Sequence, residues 1–324
     1  MTKPAVVLFA LGLSVAATSL ANAQVALPNA KPIPQLQVLP HAHDQTGIEL
    51  STRELTRYHF GKDVRRPFLY PLIGPAGRSL TRIGHPHDPH THSHHNSVWV
   101  THHNVNGVNF WGDYGKDLGV IATKRPVRYE DSDNEALLEF EHSWNNEAGE
   151  TQLEEQRTIR IRPRDNGEYF VILDIVLSAP PGKPATLAKT PFGLIGVRMA
   201  KTIGVHDGGG TIRNSAGDRD EPGVHWKSAK WVDYSGPILP DVTEGITLMD
   251  HPQNPNHPTY FHVRNDGWMG TSLTYSDARV IEPGKPLALR YGLWIHRGVP
   301  EMQAIEDAFS TFARIDAPAK PAKK

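Results

Sequence analysis

Apolar residues recur at every second position through much of the chain. Between residues 135 and 144 the even positions are Ala, Leu, Phe, His and Trp, whereas positions 135, 139 and 141 are all Glu. Residues 158–162 (Thr-Ile-Arg-Ile-Arg) alternate in the same way, and residues 169–178 form an almost continuous apolar run. A period of two is typical of half-buried strands, and a continuous apolar run is typical of a central strand. The pattern predicts a mostly β protein.

The C-terminal part adds one further strand and one helix. Positions 287, 289, 291, 293 and 295 are apolar and share one face of a strand, while Arg290, Trp294 and His296 share the other. Only residues 300–314 show helical spacing, with an apolar stripe at positions 302, 305, 309 and 312. We therefore predict an all-β fold, a large antiparallel two-sheet β-sandwich with one C-terminal helix. A barrel is the competing arrangement.

The two ends of the chain differ from this β-rich part. Lys3, the apolar run 5–17 and the Ala21-Asn22-Ala23 sequence predict a secretory signal over residues 1–23, and hence a periplasmic or secreted protein. We expect an extended lead-in over residues 24–45 and a single domain over 46–315. Residues 316–324 are mostly Ala, Pro and Lys and are expected to be disordered. No other stretch is apolar enough to predict a membrane span.

Composition excludes several classes of function. The chain has no cysteine, which removes disulfides and thiolate metal ligands from consideration. Its formal net charge is −1 and no basic stripe is present, which argues against nucleic acid as a partner. The glycine-rich phosphate-binding motifs are also missing, so no nucleotide site is predicted.

Eight of the eighteen histidines lie between His85 and His103. Imidazole exchanges protons near neutral pH and also binds borderline metals such as zinc or copper. His94, His95 and His103 are therefore candidates for proton transfer, and His92, His94 and His103 are candidate ligands of a divalent metal ion, the only cofactor considered. A solvated loop whose histidines only form hydrogen bonds is the alternative.

Other candidate residues lie at strand ends or on polar strand faces. Asp250 and His251 follow an apolar strand and form either a second acid/base element or a turn. Arg82, Arg198 and Arg264 lie in or beside predicted strands, where each needs a substrate anion or an internal carboxylate as partner.

Trp294 and His296 are predicted to bind substrate. Both lie on the polar face of the last strand. Sugar rings stack on tryptophan while neighbouring polar groups bind their hydroxyls, so this face is a candidate wall of a cleft.

Several segments resemble a known bacterial family. They include Arg-Pro-Phe-Leu-Tyr-Pro-Leu-Ile-Gly-Pro-Ala-Gly at 66–77, His-His-Asn-Ser-Val-Trp at 94–99 and Phe-His-Val-Arg at 261–264. They resemble DUF6807, a family of unknown function often labelled "methane oxygenase PmoA", over roughly residues 48–297. That family is similar to the galactose-mutarotase-like β-supersandwich of many carbohydrate enzymes, so the resemblance implies this fold. The family's His-Pro-His-His-Arg motif reads His-Ser-His-His-Asn at residues 92–96 here.

These observations favour an exported enzyme that acts on carbohydrate or another small molecule, by hydrolysis or by elimination. No pair of acidic residues matches the two-carboxylate machinery of ordinary glycosidases, which counts against plain hydrolysis. The alternatives are a periplasmic metal-binding protein and a non-catalytic carbohydrate-binding protein.

Overall fold

The structure is a computed structural model that describes residues 32–88 and 90–318. The predicted signal peptide, residues 1–23, lies outside the described residues. In chain order the strands are β1 (Leu36–His41), β2 (Gln45–Leu50), β3 (Arg53–His59), β4 (Phe68–Leu72), β5 (Val98–His102), β6 (Val120–Glu130), β7 (Ala136–Asn145), β8 (Thr151–Pro163), β9 (Tyr169–Ser178), β10 (Ala185–Leu187), β11 (Gly193–Arg198), β12 (Thr211–Asn214), β13 (Lys227–Ser228), β14 (Trp231–Leu239), β15 (Val242–Asp250), β16 (Tyr260–Arg264), β17 (Trp268–Ser272), β18 (Arg279–Ile281) and β19 (Leu287–Arg297). The helices are α1 (Val205–Gly208), α2 (Asp220–Val224) and α3 (Met302–Ala313), with a 3₁₀ turn at Asp165–Gly167.

The strands form two large antiparallel sheets. One sheet has nine strands in the order β1-β2-β3-β4-β5-β11-β17-β16-β13, and the other has eight in the order β12-β14-β15-β19-β9-β8-β7-β6. Strands β10 and β18 pair separately as a short ribbon. The predicted two-sheet sandwich is therefore confirmed, and the barrel is excluded.

The main core lies between the two sheets and follows the predicted alternation. Leu138 and Phe140 of β7, and Tyr291 and Leu293 of β19, are fully buried in it, together with residues of the nine-stranded sheet such as Ile195. Apolar side chains on every second residue give each sheet one face that is stable only when it packs on another. This requirement brings the two sheets together.

Helix α3 covers the outer face of the eight-stranded sheet. Ile305, Phe309 and Phe312 of the predicted stripe pack on Phe170 and Trp294 from neighbouring strands. The predicted C-terminal helix is confirmed, and its stripe completes a second, smaller core.

The first strand begins inside the predicted lead-in. Residues 36–41 form β1, and the buried Leu36 and Val38 supply its core-facing side chains. Pro34 before the strand and Pro40 within it obscure this short alternation in the sequence. Among the described residues, no helix is long and apolar enough to cross a membrane.

Two facing glycines shape the outer surface of the nine-stranded sheet. Gly196 of β11 pairs with Gly270 of β17, next to the indole of Trp268. A Cβ on Gly196 would lie 2.3 Å from an atom of that ring, and one on Gly270 would lie 2.8 Å from it. The sheet therefore has room for a tryptophan ring across its outer face only because both positions lack a side chain.

Candidate active site

A group of aromatic rings covers the outer face of the nine-stranded sheet. Phe68, Trp99, Trp111 and Trp268 form a buried cluster there, with Phe192 packed against it. The ring centres of Trp99 and Trp268 are 5.1 Å apart, and those of Trp111 and Trp268 are 5.5 Å apart. Together they form an apolar floor, and polar side chains from several parts of the chain lie around it.

Four histidines from residues 85–103, here called the histidine-rich segment, lie on or beside this floor. His95 stacks on Trp268 with ring centres 5.1 Å apart and an interplanar angle of 16°. His94 and His95 are 4.5 Å apart, His92 and His95 are 5.0 Å apart, and His85 lies 4.8 Å from His92. The segment turns back on itself because the Gly84 amide donates to the His95 carbonyl, 2.8 Å away.

The opposite wall comes from the region around β16. Because β16 alternates, His262 and Arg264 project from the face opposite to the buried Phe261 and Val263. His225 lies 5.2 Å from His262. The two walls enclose a cavity of about 580 Å³, here called the histidine cavity. It is lined by His85, His92, His94, His95, Trp111, Phe192, Arg198, His225, Trp226, His262, Arg264, Asp266 and Trp268.

A chain of charged groups crosses one side of the histidine cavity. Arg198 is fully buried, and its Nη1 donates to Asp266 Oδ1 at 2.9 Å. The other oxygen of Asp266 lies 2.8 Å from His85 Nε2. His85 Nδ1 accepts the amides of His87 and Asp88, so the ring proton is on Nε2 and is donated to Asp266. Burial alone would raise the pKa of Asp266, but Arg198 and His85 outweigh it and lower that pKa.

Several polar atoms around the cavity have no hydrogen-bond partner. Among the lining residues they are Nε and Nη2 of Arg198, Nδ1 of His95 and of His262, and Nε1 of Trp226 and of Trp268, all of them buried. An unsatisfied buried polar group costs about 1–3 kcal/mol, and more when it is charged. Such a cost is typical of a site that awaits a polar ligand, and the guanidinium favours an anionic one.

Three histidines of the cavity have pKa values low enough to favour the neutral imidazole at neutral pH. Burial, followed by the nearby positive charge of Arg66, lowers the pKa of His94 to about 4. Burial and His225 lower the pKa of His262 to about 3. Burial, with a smaller effect of His94, lowers the pKa of His95 well below its ordinary value. Neutral imidazoles accept protons, so the free site offers bases rather than acids at neutral pH.

A second cavity of about 640 Å³ adjoins the first. His94, Trp111 and Phe192 line both cavities and form the wall between them. His103 lines only the second cavity, where its ring lies 5.8 Å from Phe192. The predicted grouping of His94, His95 and His103 is therefore divided between two adjoining spaces.

The predicted metal site needs correction. Within residues 32–88 and 90–318, no group of three or more His, Asp or Glu side chains has an arrangement that could hold a metal ion. His92 and His94 stack with ring centres 5.7 Å apart, and His103 belongs to the second cavity. His92 Nδ1 already hydrogen-bonds to Asp88, 2.9 Å away.

Asp250 and His251 lie away from the histidine cavity. Asp250, fully buried at the end of β15, accepts from His257 Nδ1 at 2.7 Å and from Asn254 Nδ2 at 2.8 Å. These contacts hold the turn after β15 in place. A turn was the alternative to an acid/base element at this position. His251 packs edge-on against Phe312 of α3, 5.4 Å away. Asp250 is thus occupied by contacts within the turn, whereas His251 lines a separate cavity, so the structure does not bring the predicted acid/base pair to the histidine cavity.

The predicted roles of Trp294 and His296 are also wrong, because side chains cover the outer face of β19. Trp294 packs beneath α3 and donates to Glu168 at 3.0 Å. His296 is fully buried, with Nε2 2.8 Å from Asp233.

The three predicted arginines have different environments. Arg198 and Arg264 line the histidine cavity, although Arg264 is half exposed and pairs with Glu221 at 2.9 Å. Arg82 lies just before the start of the histidine-rich segment, where it donates to the carbonyls of Ile83 and His85. Arg82 therefore positions that segment and does not line either cavity.

Comparison with known proteins places the chain in a family. A family profile described as a family of unknown function, DUF6807, matches residues 45–310. The chain belongs to the DUF6807 family. No curated protein matches it.

The solved structures that match this DUF6807 protein are only distantly similar to it. Heparan sulfate lyase HepC from Pedobacter heparinus is 8% identical with a TM-score of 0.37, over 79% of this chain and 34% of the lyase. The chain thus spans about a third of the length of that enzyme. A GalM/aldose epimerase homologue from C. elegans is 7% identical with a TM-score of 0.29, over 81% of this chain and 99% of the homologue.

Proposed function

We propose that this protein is an exported carbohydrate lyase that eliminates across a bond of an acidic sugar, with the histidine cavity as its active site. The observation that carries the proposal is the buried guanidinium of Arg198, which has two unpartnered nitrogens beside unpartnered imidazoles. Export rests on the N-terminal sequence alone.

Arg198 would bind the substrate carboxylate. Its Nη1 is already used by Asp266, which leaves Nε and Nη2 for an anionic ligand. A guanidinium presents donors in a planar fork that matches a carboxylate. In an elimination the same charge stabilises the enolate that develops on the carboxylate when the neighbouring carbon loses its proton.

His95 would take that proton. Its Nδ1 is unpartnered, so it can accept a proton from the carbon next to the carboxylate, and the negative charge of that bound carboxylate would raise the pKa that burial lowers. The electron pair of the C–H bond forms a carbon–carbon double bond, and the C–O bond one carbon further along breaks.

His94 would return a proton to the leaving oxygen. It lies in the wall between the two cavities, 4.5 Å from the ring of His95. The negative charge of a bound substrate would oppose the burial that lowers the pKa of His94, and would favour its protonated form.

Hydrolysis by two carboxylates has less support. Among the described residues that line the histidine cavity, Asp266 is the only carboxylate. It is already bound to Arg198 and His85, whereas a glycosidase needs two carboxyl groups on either side of the bond.

The test is to incubate the purified protein with uronate-containing oligosaccharides and to follow the ultraviolet absorbance of the unsaturated product. We expect the wild type to form it and His95→Gln to lose about 10²- to 10⁴-fold in rate, as is usual for a general base. His43→Gln, at an exposed site outside both cavities, is the matched control. Binding without any product would instead select a non-catalytic carbohydrate-binding protein.

A further inference from the structure

The second cavity differs in chemistry from the histidine cavity that it adjoins. Two arginines, Arg198 and Arg264, line the histidine cavity against one carboxylate, Asp266, and Arg264 also pairs with Glu221 outside the lining. In the second cavity Asp113 is the only charged side chain among the described lining residues. Its carboxylate is held by Arg66 at 2.6 Å and by Ser93 at 2.8 Å, so its charge is already compensated.

The second cavity has the features of a site for an uncharged ring. Trp111 and Tyr114 provide aromatic surface. The Asn109 side-chain oxygen already accepts the amides of Trp111 and Gly112, which leaves its side-chain nitrogen to bind a hydroxyl. Tyr114 is 64% exposed, more than any other aromatic side chain in the described part of the chain. Aromatic faces beside hydrogen-bonding groups suit the flat apolar face and polar edge of a neutral sugar.

The two cavities are arranged as neighbouring subsites. Each has a volume within the range of roughly 300–1,000 Å³ that is usual for small-molecule sites. Their common wall contains His94, the residue to which the proposed reaction assigns the leaving oxygen. A linkage that joins rings in the two cavities would pass beside His94.

We infer that the second cavity binds an uncharged sugar ring joined by its glycosidic oxygen to the acidic sugar in the histidine cavity. The substrate is then at least a disaccharide, and the neutral ring is the leaving group. This inference rests on the proposed function. It adds which ring occupies which cavity, and it makes Tyr114 a residue that determines specificity.

Calorimetric titration of the full chain can test the inference with three defined ligands. They are a free uronic acid, a disaccharide with a neutral sugar on the oxygen that would leave the uronic acid, and a neutral disaccharide. The titrations use the His95→Gln background so that no ligand is consumed. Tyr114→Ala probes the second cavity, Arg198→Met probes the first, and Val280→Ala, at an exposed site outside both, is the control.

We expect the acidic disaccharide to bind roughly 3- to 10-fold more tightly than the free uronic acid, as stacking on an aromatic ring allows. Tyr114→Ala should remove that gain and leave the affinity for the free uronic acid unchanged, and Val280→Ala should change neither. Equal affinities for the two acidic ligands, with no effect of Tyr114→Ala, would overturn the inference alone. If neither acidic ligand binds, or if Arg198→Met has no effect on binding, the proposed function fails as well.

Discussion

Loss of Arg198 and loss of Asp266, which form an ion pair, should change the free energy of unfolding by very different amounts. In Asp266→Asn the fully buried guanidinium of Arg198 loses the carboxylate that neutralises it. In Arg198→Met a buried charge is replaced by an apolar side chain of similar length, and Asp266 keeps its hydrogen bond from His85.

The expected magnitudes follow from the burial of the two partners. Removing one partner of a buried pair typically costs about 3–5 kcal/mol, because it leaves a buried charge uncompensated. Asp266 is 26% exposed, so the lower end, about 3 kcal/mol, is expected for Asp266→Asn. That loss corresponds to a decrease in Tm of about 6–12 °C. For Arg198→Met we expect a change within about 1 kcal/mol, or a gain in stability, because two unsatisfied donors disappear.

Urea denaturation followed by tryptophan fluorescence measures both changes. Equal slopes of the unfolding free energy against urea concentration would show that the midpoints can be compared directly. If Arg198→Met lost 3 kcal/mol or more while Asp266→Asn stayed near the wild type, the guanidinium would be a structural group. Its unpartnered nitrogens would then give no support to an anion site.

Three other changes test the surroundings of the site. Gly196→Ala places a methyl group against Trp268 and should cost about 1–3 kcal/mol and shift the tryptophan emission; an unchanged spectrum would contradict the packing. Glu155→Gln removes the carboxylate that pairs with the buried Arg157, and should lower the free energy of unfolding in urea by about 3–5 kcal/mol. A loss below about 1 kcal/mol would argue against that pair. Burial lowers the pKa of His102 to about 4 and of His262 to about 3. As the pH falls, the unfolded chain therefore binds these protons at a higher pH than the folded chain does. Unfolding free energy should therefore fall between about pH 6.5 and pH 4 by about 1.4 kcal/mol per pH unit for each histidine, and a flat profile would refute this.

The sandwich could be predicted because its signal is local. Alternation along β7 and β19 shows which residues face a core without any knowledge of the partner strands. Strand β1 was missed because two apolar positions, Leu36 and Val38, are too few to show a period among prolines.

Only part of the site could be predicted from the sequence. His94 and His95 belong to one dense segment, so their clustering was visible. His262, Asp266 and Trp268 meet them only because β5, β11, β17 and β16 are neighbours, and a single sequence does not show the order of strands in a sheet. The alternation of β16 could have indicated that His262 and Arg264 share a polar face.

Trp294 shows that a sequence pattern can identify the face of a strand without showing what covers that face. A period of two identified its face of β19 correctly, but not what lies on that face. The apolar stripe of α3 needed a partner, and the outer face of the eight-stranded sheet supplied it.

Mass spectrometry of the reaction in water enriched in oxygen-18 tests most directly whether the histidine cavity carries out elimination. With an oligosaccharide that contains uronic acid, we expect an unsaturated product that carries no solvent oxygen, because the carbon–oxygen bond breaks as the double bond forms. Replacing His95 with Gln should slow the formation of that product about 10²- to 10⁴-fold. Saturated cleavage products that together carry one labelled oxygen, with no unsaturated product, would show hydrolysis and would contradict the proposed roles of Arg198 and His95. An undiminished rate in the His95→Gln variant would contradict them as well.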